Sequence, residues 1–280
     1  MFYVLGRGLL VQRVIDGRWE RVALFGGAYS NWVAVRAVLA DARRRGAQQT
    51  FFLGDVGGFG PHPDRTVHVL REAGIPCVQG NYDDSVGNSR DDCACGYTDP
   101  RDNHFAQVSY DYTLANTGAD SRAWLAGLPV RGRIHVGATS VHLCHGSPRR
   151  VNEFLWESTT PEGFIAHQAR QVSADWIACT HTGVHWHRRV AGGGGIVNVG
   201  AVGRPANDGQ RCVWYTLLEA GGSGADLQVT HVPVEYDVSA VVREMRAEGL
   251  PEPFVDTLES GWWTTCLEIM PGKERRRGRH

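Results

Sequence analysis

The chain repeatedly runs through a few apolar residues and then stops at a turn that carries polar side chains. Ala23-Leu24-Phe25 ends in Gly26-Gly27-Ala28-Tyr29-Ser30-Asn31, and Phe51-Phe52-Leu53 ends in Gly54-Asp55. Runs this short and unbroken suit strands buried on both faces, and the segments between them have helical spacing. Trp32, Val33, Val35, Val38 and Leu39 line one helix, closed by Arg43-Arg44-Arg45 and Gly46; Pro63-Asp64 opens a second, which ends at Gly74. With Ile75 to Val78 as a third strand, the order β-α-β-α-β specifies an α/β protein with short turns at its strand ends. Strands recur at 139–144, 176–179, 195–199, 212–218 and 227–234, with helices from Pro161 to Ser173 and over 238–248. Residues 84–120 are polar, lack a clear period and read as a long cap-like excursion over a site. The basic stretch from Lys273 to His280 reads as unstructured.

At 280 residues the chain can bury one sizeable core. Its formal net charge of −1 argues against nucleic acid as a partner. No apolar run reaches membrane-spanning length, and residues 1–12 lack the cationic start and cleavage site of a secretion signal, so a cytoplasmic protein with no membrane partner is expected. The seven cysteines are odd in number and mostly sit in apolar runs (Cys77, Cys144, Cys179, Cys212), which reads as reduced thiols. Cys93-Ala94-Cys95 is the tight pair; a thiolate site with His104 falls short of the usual zinc spacing and count, and ordinary loop cysteines are expected. The sequence leaves oligomeric state open, a homo-oligomer included.

Chemistry collects at the strand ends. Asp55 follows Leu53, and Gly80-Asn81-Tyr82-Asp83 follows Val78. Leu143 leads into Cys144-His145-Gly146, and Ile177 into Cys179-Thr180-His181-Thr182. One carboxylate, one amide and two imidazoles at the ends of parallel strands can converge on one point. Singly, such an Asp more often caps a helix and such a His more often fills a core; four in order, each before a turn, point to a metal. Mixed oxygen and nitrogen ligands suit a divalent Mn, Fe, Ni or Zn ion.

These motifs resemble those of the calcineurin-like metallophosphoesterases, whose members carry D-x-H, GD, GN-x-D, HG and G-H-x-H in that order. The closer resemblance is to small bacterial and archaeal single-domain phosphoesterases. It rests on Gly54-Asp55-Val56-Gly57-Gly58-Phe59-Gly60-Pro61-His62-Pro63, on His145-Gly146-Ser147-Pro148-Arg149, and on Asn198-Val199-Gly200-Ala201-Val202-Gly203-Arg204-Pro205, which is similar to NPGSVGQP. The similarity spans about residues 22–260, leaving an N-terminal extension over 1–21 and a tail over 261–280. It implies a two-sheet β-sandwich flanked by helices, and a site of two metals bridged by the GD aspartate, with a water that attacks phosphorus.

Carried over residue by residue, one metal keeps all its ligands: Asp55, Asn81, His145 and His181. The other metal's own ligand positions fall on Gly27, Tyr29 and Gly183. Loss of all three together implies a centre with one metal, or a second metal held differently. The resemblance thus implies a hydrolase for a small phosphorylated substrate, a phosphomonoester or phosphodiester, nucleotides included. Tyr29 could bind iron as a phenolate, but donating a hydrogen bond to phosphate is the better fit. Tyr82 stands where relatives carry a histidine that acts as acid or donor. It favours good leaving groups, although another histidine such as His62 could substitute. Asp83 would orient Tyr82 or its turn, Asn31 would help hold its own turn at the substrate, and Arg149 is a candidate phosphate clamp. His185 and His187 could swing into the vacated space, or His185-Trp186-His187 is a strand with alternating faces. The rival readings are a non-catalytic scaffold, to which Trp262-Trp263 and the basic tail could lend a partner surface, and a sensor of phosphorylated ligands.

Overall fold

The computed structural model describes residues 15–222 and 227–276. Most of the expected extension, residues 1–14, and the end of the basic tail, residues 277–280, lie outside them. Strands β1 (Arg18–Trp19) and β2 (Arg21–Phe25) lead into α1 (Trp32–Arg44), β3 (Gln49–Phe52), α2 (Pro63–Glu72) and α3 (Asn81–Gly87). After α4 (Pro100–Ala115) and α5 (Ala119–Ala126) come β4 (Gly132–Val136), β5 (Thr139–Leu143), α6 (Glu162–Gln171), β6 (Trp176–Cys179) and β7 (His185–Arg189). Then follow β8 (Gly195–Val199), β9 (Val213–Ala220), β10 (Leu227–Val234), α7 (Val238–Ala247), α8 (Glu252–Ser260) and the single turn α9 (Gly272–Arg275).

Two sheets result, in the orders β1-β4-β5-β6-β8-β7 and β10-β9-β2-β3. Period-two alternation assigns each strand's side chains to a layer. In β2, Val22 and Leu24 face the space between the sheets, whereas Ala23 and Phe25 face the core that α1 and α2 cover. In β6, Trp176 and Ala178 join the inter-sheet core, while Ile177 and Cys179 pack outward with Ile165 of α6. The chain is therefore an α/β protein with two sheets flanked by helices. Strands β2 and β3 run parallel in one sheet, and β5, β6 and β8 run parallel in the other. The turns after β3, β5 and β6 carry Asp55, His145 and His181, which meet at one edge of the sandwich.

Three expectations need correction, and two strands went unassigned. Ile75–Val78 is not a strand: it makes one parallel bridge, Cys77 to Phe52, because Pro76 can supply only an acceptor to that ladder. Residues 84–120 are largely helical rather than an irregular excursion. Helix α4 shows no clear period because both its sides are packed: Ala106 and Tyr110 join the main core, while Phe105 and Tyr112 pack with α7 and α8. The tail is ordered as far as residue 276; Glu274 is buried and accepts from Ser158 N and Oγ at 2.7 and 2.6 Å. Strands β1 and β4, which the sequence reading did not assign, pair in parallel at the far edge of the larger sheet.

His142 on β5 is 4% exposed, opposite Arg133 of β4. Burial, then the charges of Arg131 and Arg133, lower its pKa to about 4. The unfolded chain therefore binds a proton that the folded chain refuses between pH 6.5 and 4, and stability falls as pH drops through that window. Urea unfolding of His142→Gln should show a shallower fall, by up to about 3 kcal/mol at pH 4; an unchanged slope would assign the acid sensitivity elsewhere.

Candidate metal centre

The site is assembled by turns that hold one another through backbone bonds. Gly27 N donates to Gly54 O at 2.9 Å and Ala28 N to Asp55 O at 2.8 Å, joining the turns after β2 and β3. Thr180 N donates to His145 O at 2.8 Å, joining the turns after β5 and β6. Asp55 and His181 both adopt left-handed backbone conformations, with φ of 64° each. A β-carbon on Gly80 would collide with the Asp55 side chain and backbone N, so the Asn81 turn can approach Asp55 only through a glycine.

Asp55, Asn81, His145 and His181 are 3%, 2%, 1% and 7% exposed. Asp55 Oδ2 lies 3.1 Å from His145 Nε2, which lies 3.1 Å from His181 Nδ1. One ligand atom from each of Asp55, His145 and His181 falls within 4.8 Å of the others. His145 Nδ1 is 2.7 Å from Leu53 O; a carbonyl only accepts, so Nδ1 carries the hydrogen and Nε2 faces the cluster. Tyr82 N donates to Asp55 Oδ1 at 3.0 Å, which brings the neighbouring Asn81 to the same place. Asn81 Nδ2 donates to Cys93 O at 2.8 Å, and its Oδ1 is buried with no partner. A carboxylate and two imidazole nitrogens in one cluster, with an unpartnered buried amide oxygen on the adjoining turn, are the donor types of a divalent transition ion, and the residues fit one.

Electrostatics agree with a cationic centre. Burial raises the Asp55 pKa, but the charge and hydrogen bond of His145 outweigh it and hold the carboxyl low. Burial opposes protonation of His145, yet Asp55 raises its pKa above the usual value. His181 is pushed down to about 3, first by burial and then by His145, so it stays neutral. A metal ion would compete with the protonation of His145 that Asp55 favours.

Asp83 lies behind this arrangement. Its Oδ2 accepts from Asp55 N and Gly80 N at 2.9 and 2.8 Å, and its Oδ1 accepts from Val56 N at 2.9 Å. Burial and then the Asp55 charge raise its pKa to about 6. The phenol of Tyr82 donates to Ser109 Oγ at 2.9 Å, within α4, and burial raises its pKa well above normal. Asn31 caps α1 by accepting from Ala34 N at 3.0 Å and donates to Gly203 O at 3.3 Å. The structure does not bring Arg149 or His185 to the cluster. Arg149 is half exposed, paired with Glu153 and set over the Phe164 ring. His185 stacks on Trp214 at 4.2 Å, and His185 and Trp186 are buried while His187 is exposed, as alternation along β7 allows where both faces near its start are covered. His62 lies 3.9 and 4.0 Å from Glu244 and Glu248.

Cys93 and Cys95 are joined as a disulfide, not separate thiols; Ala94 in a left-handed conformation brings their Cα atoms to 5.2 Å, within bridging reach. The bridge sits on Asn81, whose Nδ2 also lies 3.6 Å from Cys95 Sγ. Tyr29 and Gly183 are packed by Arg204, which the sequence reading did not assign a role, and Gly183 also by Trp263, expected only as part of a partner surface. A β-carbon on Gly183 would lie 2.8 Å from Trp263 Cη2 and 3.6 Å from Arg204 Nη2. Trp263 thus packs on the site and not on a partner, with Nε1 donating to Pro205 O at 2.7 Å. The signal in the sequence was Arg204 itself, an arginine where the similar motif has glutamine.

The fold is that of the calcineurin-like metallophosphoesterases, and the motifs are similar to theirs. The metallophosphoesterase of Sphaerobacter thermophilus is 29% identical, covers 86% of this chain and 99% of its own, and superposes with a TM-score of 0.65. The hypothetical protein PH1004 of Pyrococcus horikoshii shares the fold at 19% identity and a TM-score of 0.72, over 87% of this chain and 99% of its own. The uncharacterised protein MJ0912 of Methanocaldococcus jannaschii is 24% identical over 247 residues, 82% of this chain and 94% of that one. No family model matches the chain.

Asp83→Asn replaces a two-oxygen acceptor by one oxygen and an amide that cannot accept from the Asp55 loop. Manganese affinity, measured by chelator competition, should fall roughly 10- to 100-fold, the usual cost of losing a group that orients a ligand. Unchanged affinity would show that the loop holds its shape without Asp83.

Proposed function

We propose that the chain is a metal-dependent phosphoesterase working on one divalent transition metal, Mn, Fe, Ni or Zn, held by Asp55, Asn81, His145 and His181. The observations behind this reading are the close cluster of Asp55, His145 and His181 and the buried, partnerless Asn81 Oδ1, one residue from the Tyr82 N that donates to Asp55. When bound, such an ion polarises a phosphoryl oxygen and makes a water more acidic. The chain's own residues do the positioning. Leu53 O fixes the His145 tautomer, Cys93 O turns the Asn81 amide, and Asp83 fixes the Asp55 loop. Tyr29, 4% exposed and kept neutral by burial, is the proposed donor to phosphate. Tyr82 is spent on Ser109, so its place in this reading is to hold α4 over the site. Without a strong acid here, the substrate is a phosphomonoester or phosphodiester with a good leaving group, such as a nucleotide. The five cysteines outside the Cys93–Cys95 disulfide suit a cytoplasmic setting.

The scaffold alternative has one observation in its favour, the near-complete burial of all four ligands. Metal content and turnover separate the two. The purified chain should bind about one manganese ion and hydrolyse some members of a panel of phosphomonoesters, phosphodiesters and nucleotides. Asp55→Ala should lose activity by roughly 100-fold or more, beyond the cost of disturbing an outer partner. A wild type that binds metal yet is silent across the panel would favour the scaffold or a phospho-ligand sensor.

A further inference from the structure

Arg204 is 5% exposed and has no ion pair among the described residues. Its Nε is buried with no hydrogen-bond partner. A guanidinium is always charged, offers five N–H donors and is costly to bury without an anion. Three aromatic rings hold it: its Cζ is 3.3 Å from the Trp263 ring centre, 4.9 Å from Phe59 and 5.5 Å from Tyr29. Rings attract the flat faces of the ion, which leaves the N–H edge in need of an acceptor. The cavity it borders, shared with Phe59, Phe254 and Leu258, has a volume of about 20 Å³, room for about one water. One water cannot satisfy that edge.

The position is as informative as the burial. Arg204 Nη2 lies 3.6 Å from where a β-carbon of residue 183 would stand, two residues beyond His181. Its charge is felt by the Tyr29 phenol, which also feels Asp55. The turn before it is locked in place: Val202 N donates to Gly26 O at 3.0 Å and Gly203 N to Gly27 O at 2.8 Å. A fixed, unpaired cation therefore stands against Tyr29 and Gly183, the latter two residues from the candidate ligand His181.

We propose that Arg204 is the anion-binding residue of this site, its guanidinium edge taking the non-bridging oxygens of a phosphoryl group beside the ion held by Asp55, Asn81, His145 and His181. This deepens the phosphoesterase reading and rests on it for the identity of the anion. The planar fork matches two oxygens of one phosphoryl group. Trp263 and Phe59 keep water from its faces, so the contact is made in a dry setting where a charge acts strongly.

Inorganic phosphate is the probe, titrated calorimetrically into metal-free and manganese-loaded protein. In Arg204→Gln, phosphate affinity should fall at least tenfold in both forms. Manganese affinity should stay within twofold, and the melting temperature should hold or rise, because an uncompensated buried charge has been removed. Arg204→Lys should recover part of the affinity, as a point charge without the fork. Unchanged phosphate affinity in Arg204→Gln overturns the proposal. So does a fall in melting temperature with no recovery in Arg204→Lys, which would make Arg204 a packing residue. If Arg204→Gln does not fold, undiminished phosphate affinity in Arg204→Lys overturns it and weakened affinity supports it. Failure of manganese to bind the wild type would sink the metal reading instead, while phosphate binding to the metal-free protein still tests Arg204.

Discussion

Asp55 and Asp83 hold each other's loops. Asp83 accepts from the backbone of Asp55, Val56 and Gly80, and Asp55 in turn accepts from Tyr82 N. Two carboxylates this close repel, and burial amplifies the repulsion; four backbone N–H groups and the His145 proton offset it. Through this exchange the turn after β3 and the start of α3 become one rigid unit. Asn81 is carried to its place by it, and α3 and α4 are anchored above the site.

The division of labour between the two sheets follows. The smaller sheet supplies Asp55 and, through α3, Asn81; the larger supplies both histidines. Asp55, Asn81 and His145 are each held by a backbone contact and His181 by His145, so the cluster is organised before any ligand arrives. The disulfide of Cys93 and Cys95 belongs to the same design, since it stiffens the carbonyl that turns the Asn81 amide.

Asp55, Asn81, His145 and His181 could be read from the sequence because each lies at the end of an apolar run, where strand and turn are set by neighbours in the chain. The two-sheet arrangement followed from the same motifs. Helix α4 escaped because it is packed on two sides and shows no single stripe. Ile75 to Val78 misled because an apolar run flanking a proline still looks like a strand. The roles of Asp83, Arg204 and Trp263 depend on contacts between distant segments. An arginine in a glycine-rich turn reads locally as surface charge, and only the fold shows that a tryptophan lies across it.

That tryptophan has a consequence in time. Asp55, Asn81, His145 and His181 are all synthesised well before Trp263, so a nascent chain can gather its ligands while Arg204 still lacks its largest aromatic wall. The enclosure of Arg204 is thus completed only after the candidate ligands are in place. A chain without Trp263 could carry every candidate ligand and still lack the largest aromatic wall around Arg204.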